Sequence, residues 1–75
     1  MNWTTTQAQY RFVVKETGVG GYFLMLEPLD GTLPVLGDGF LSLTLRKDMT
    51  LDEARELAGT LNDDVCFVNY TGTPR

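Results

Sequence analysis

The chain contains no histidine, which removes the commonest general base and the commonest metal ligand. No Ser-His-Asp or Cys-His relay can therefore be assembled. The single cysteine, Cys66, stands between apolar neighbours. A nucleophilic thiolate needs an electropositive, accessible setting, so Cys66 is expected to be a buried, inert thiol. Carboxylates are more plentiful. Asp52 and Glu56 are spaced to lie one helical turn apart and could share a divalent cation. Hard-cation sites need several convergent oxygens, however, and no calcium-loop pattern is present. Asp52, Glu53, Glu56, Asp63 and Asp64 are instead expected to form a solvated acidic rim. Such a rim can meet lysines and arginines of a partner, and can imitate a phosphate backbone in charge. Gly18-Val19-Gly20-Gly21 has the look of a phosphate-binding loop, but a strand rather than a helix follows it, so it reads as a turn. Neither a catalytic set, a metal site nor a cofactor site is expected, and the chain is not expected to be an enzyme.

The element that must position these groups is the helix over Met49–Leu61. Thr50 is its N-cap and Glu53 completes a capping box. Leu51, Ala54, Leu57, Ala58 and Leu61 form an apolar stripe, and Asn62 is expected to end the helix in a left-handed conformation. A helix this short must dock to be stable, and strands surround it in sequence. Gln9–Glu16 alternates apolar and polar residues. Thr17–Gly21 is a glycine-rich turn, and Tyr22–Glu27 returns to complete a hairpin. Pro28–Gly39 is an irregular loop with two Asp-Gly turns. Phe40–Lys47 and Val65–Thr71 are the third and fourth strands. Residues 1–8 are expected to form a frayed arm, with Trp3 either packed back or exposed, and residues 72–75 a tail.

These elements predict one α+β domain with the order β-β-β-α-β. A short-linked strand–helix–strand unit implies a parallel crossover, giving a single four-stranded mixed, mostly antiparallel sheet in the order 3-2-1-4. One helix covers one face. Tyr10, Phe12, Val14, Tyr22, Leu24 and Leu26, with Leu41, Leu43 and Leu45, are assigned to the helix side. Val13, Phe23, Met25, Phe40 and Phe67 fall on the open side, among Arg11, Lys15, Ser42, Thr44, Arg46 and Asn69. In the last strand the alternative set of Cys66, Val68 and Tyr70 competes with Val65 and Phe67. An apolar patch rimmed with polar groups marks an interface, unless the 28–39 loop folds over it.

Seventy-five residues with 43% apolar composition make one small globular domain, near the lower size limit for a self-sufficient core. Dimerisation would help it. A net charge of −4 and a pI of about 4.4 disfavour non-specific nucleic-acid binding. Arg11, Lys15, Arg46 and Lys47 beside Phe23 keep a single-strand-binding module as the minor alternative. No run approaches the ~18 apolar residues of a membrane span, no leader pattern opens the chain, and a lone cysteine fits a cytoplasmic setting.

In size, charge and architecture the whole chain resembles the small inhibitor proteins that phages and other mobile elements use against bacterial defences, the anti-CRISPR proteins among them. The missing catalytic set and the apolar open face read as a non-enzymatic protein-binding module; the likeness implies that it binds a CRISPR effector complex and occludes its DNA-recognition or nuclease surface. Composition and pattern alone fit a homodimeric adaptor or a structural subunit equally well.

Overall fold

A computed structural model describes residues 3–72. Among these residues the order is β1 (Thr4–Ala8), β2 (Tyr10–Glu16), β3 (Tyr22–Pro28), a 3-10 turn (Pro34–Leu36), β4 (Leu41–Thr44), α1 (Leu51–Asp64) and β5 (Val68–Gly72). The α+β class is as expected, but the sheet is not single. β2, β3 and β4 form a three-stranded antiparallel meander, while β1 and β5 form a separate antiparallel pair.

The two sheets share one long, nearly continuous run. From Thr4 to Glu16 only Gln9 interrupts the strand. At ~3.3 Å per residue this run spans roughly 40 Å, close to the 43 Å long axis of the molecule. At Gln9 the pairing partner changes: Ala8 faces Val68 and Tyr10 faces Pro28.

Residues 4–8 are therefore a strand rather than a frayed arm; Met1 and Asn2 lie outside the described residues. Threonine favours extended backbone, and the Thr5 and Thr71 hydroxyls meet across the pair at 2.8 Å. The 72–75 tail falls mostly outside the described residues, but Gly72 is buried at the end of β5.

The expected parallel crossover is also corrected, because β5 runs antiparallel to β1. The cause lies at the free edge of β2. The Asn62 amide accepts from Phe12 N–H at 2.7 Å and donates to Phe12 C=O at 2.9 Å. A fourth strand would have needed those two backbone groups. Asn62 also does not stop the helix, which continues to Asp64. Val65 then ends it in extended conformation, with its N–H on Leu61 C=O.

The core forms on one face of the meander. Tyr10, Phe12, Leu24 and Leu26 are buried beneath α1, together with Ala8 and Leu33. The helix rests on the sheet through Ala54 and Ala58, its two buried residues, with Leu57 and Leu61 flanking. Small side chains at the contact let the two backbones approach closely, and the leucines pack along the sides.

The 28–39 loop joins this same face. Leu33 is buried, and its N–H donates to the Tyr10 hydroxyl at 3.0 Å. The hairpin between β2 and β3 closes through Thr17, whose N–H and hydroxyl bond Gly21 and Gly20 carbonyls. Gly20 and Gly21 take φ of 79° and 108°, values that side-chain-bearing residues rarely adopt.

Candidate functional site

The register of the meander defines its two faces. Val13 pairs with Met25, and Met25 with Ser42; Lys15 pairs with Phe23, and Phe23 with Thr44. Directly paired residues share a face, so Val13, Phe23 and Met25 form one apolar strip opposite the helix. Arg11 and Glu27 continue it at one end as a cross-strand pair. All three apolar residues are half-buried by their neighbours and stand outside the core cluster. Both α1 and the 34–36 turn pack on the other side, so the loop does not cover this strip.

Phe40 is exposed just before β4. Phe67, also expected here, is not part of the strip; it lies in the link between α1 and β5, close to residues 30–34 and β1. The last strand begins at Val68 rather than Val65, and Val68 turns into the core. Cys66 also falls in that link and is exposed, not buried.

Arg46 departs from the open side as well. The third strand ends at Thr44, not Lys47, and Arg46 swings to the start of α1. There it meets Asp48 at 3.1 Å and Glu53 at 2.9 Å. The capping box is present: Glu53 N–H donates to the Thr50 hydroxyl, and Thr50 N–H donates to the Glu53 carboxylate. The hydrogen bonds from Thr50, and then the Arg46 charge, hold the Glu53 carboxyl below its ordinary value.

The helix carries Asp52, Glu53, Glu56, Asp63 and Asp64 against Arg55 alone, so it accounts by itself for the net charge of −4. All five carboxylates are exposed. They lie across the sheet from Val13, Phe23 and Met25, so they do not rim that strip; the acidic and apolar surfaces are back to back. Asp63 and Asp64 sit in the last helical turn, which has no basic residue and where the helix dipole disfavours negative charge. Among the described residues, no three Cys, Asp or Glu converge as metal ligands, and no helix is long and apolar enough to cross a membrane.

A second apolar surface was not foreseen. A groove of about 470 Å³ runs between β4, the 34–36 turn and β5, lined by Leu33, Val35, Leu36, Leu41, Val68 and Tyr70 among others. Leu43, expected in the core, borders it at 45% exposure. A helix about 10 Å wide covers roughly two strands spaced at about 4.8 Å, and α1 lies over β2 and β3. The leucines of β4 fall beyond its reach. The alternation of Leu41, Leu43 and Leu45 against a single helix was the available signal.

No family model, no curated protein and no solved structure matches the chain.

Proposed function

We propose that the chain is a non-enzymatic protein-binding module whose docking surface is the Val13–Phe23–Met25 strip. The observation that carries this reading is one-sided packing: helix and loop both cover the same face of the meander, leaving an apolar strip on the other. Aromatic and methionine side chains at such a surface are the residues that anchor protein interfaces.

In the finer form of this reading, the module is a phage-type inhibitor that occludes a CRISPR effector complex. The acidic helix supports it. Five exposed carboxylates facing away from the docking strip would project a negative field from the surface of the bound complex, which repels nucleic acid approaching it.

The test is titration of the protein into purified CRISPR effector complexes, reading target-DNA cleavage. Inhibition by the parent, lost in Phe23→Asp and Met25→Glu variants that remain folded by circular dichroism, is the expected result. Absence of inhibition overturns the inhibitor reading. Equal potency of parent and variants overturns the strip as its docking surface. Lys15 and Phe23 are cross-strand neighbours, so retention of single-stranded DNA in filter binding, falling steeply with salt, would replace the protein partner with nucleic acid.

A further inference from the structure

The outer edge of β4 is built for pairing. Leu45 N–H bonds Tyr22 C=O, and Leu43 and Leu41 face Leu24 and Leu26. Antiparallel bonding alternates along a strand, so Leu41 and Leu43 turn their backbone groups toward β3. Ser42 and Thr44 turn theirs outward. β4 is the end strand of its sheet, and both of these residues are exposed. Exposed edges are ordinarily protected by lysine, proline, an inward charge or a bulge. From Gly39 to Leu45 the sequence is Gly-Phe-Leu-Ser-Leu-Thr-Leu, with no charge and no proline.

We infer that β4 pairs edge to edge with β4 of a second copy of this chain, forming a two-fold dimer with a continuous six-stranded sheet. The axis passes through Ser42. An antiparallel pair is self-complementary about such an axis, and the outward groups of Ser42 make it a doubly bonded pair with the partner's Ser42. In this register Leu41 faces the partner's Leu43 on the core side, and Phe40 faces the partner's Thr44. The apolar grooves beside Leu41 and Leu43 then adjoin across the axis. The acidic helices lie over β2 and β3, away from the axis. This inference uses the edge of the sheet and stands independently of what docks on its open face.

Sedimentation velocity over a concentration series, with hydrogen exchange on the same samples, tests it. A dimer with Ser42 and Thr44 amides protected in step with dimer formation is expected. Ser42→Pro removes only an outward N–H, which an edge strand tolerates, and Leu43→Lys adds a protective charge. Each should weaken dimerisation roughly tenfold or more while circular dichroism stays that of the parent. A monomer at every concentration overturns the inference. So does a dimer that survives Ser42→Pro at the parent's affinity, or one abolished by Phe23→Asp alone, which would place the interface on the open face.

Discussion

The side-chain amide of Asn62 holds both backbone groups of Phe12, at 2.7 and 2.9 Å, across 50 residues of sequence. One residue thereby does three things: it docks the end of α1, satisfies the edge of β2, and diverts the last strand to Thr4–Ala8. Asn62→Ala should cost about 1–3 kcal/mol, since two partly buried backbone groups lose their partner. Asn62→Asp keeps an acceptor for Phe12 N–H but has no donor for the carbonyl, so it should not restore the parent's stability. Urea denaturation measures both, and a parent-like midpoint for Asn62→Ala would remove Asn62 from this role.

Leu24 is fully buried, and Ala54 is the most buried residue of the helix. Leu24→Ala should cost about 2–5 kcal/mol through the cavity it leaves. Leu57→Ala should cost less, because Leu57 flanks the contact and is only half-buried. Ala54→Leu should destabilise by about 1–3 kcal/mol through overpacking. Thermal denaturation of the three variants gives the order; a tolerated Ala54→Leu would mean that the helix does not lie this close to the sheet.

Tyr10 is the link between the sheet and the 28–39 loop. Tyr10→Phe leaves the buried Leu33 N–H without its acceptor, at a cost of about 1–3 kcal/mol. Faster amide exchange at Leu33 should accompany the loss, with exchange at Leu24 changed only as far as global stability falls.

Glu53 confers a pH dependence of defined sign. Its carboxyl is held below the ordinary value of 4.5 by Thr50 and Arg46, so the folded state favours its ionised form. The stabilisation is complete at neutral pH and is lost as pH falls from about 4.5 through the lower folded value. Glu53→Gln should therefore melt below the parent at pH 7, and the gap should narrow as pH falls through that window. A gap that stays constant would contradict the assignment.

Asp63 and Asp64 oppose the helix dipole. Asp64→Lys should raise stability by about 0.3–1 kcal/mol, read as a higher denaturation midpoint. If the acidic helix repels nucleic acid from the bound complex, the same variant should inhibit less well. Stability and function would then move in opposite directions.

What could be read without coordinates is what neighbours in sequence decide. The capping box closes within four residues, Thr50 to Glu53. The β2–β3 hairpin follows from alternation and from glycines at the turn, and its period of two separates Phe12 from Val13 and Leu24 from Met25. Each of these rests on contacts a few bonds apart, so residue type and spacing suffice.

Tertiary structure alone decided the rest. An asparagine inside a helix looks like a terminator until a strand 50 residues earlier offers it a free edge. A threonine-rich start looks like an arm until Val68–Gly72 arrives to pair with it. Arg46 looks like a strand residue until the helix start draws it away. The width of one helix against three strands left the β4 leucines at the margin of the core. Such choices depend on which distant groups compete for the same backbone donors and the same apolar area, and no local pattern records that competition.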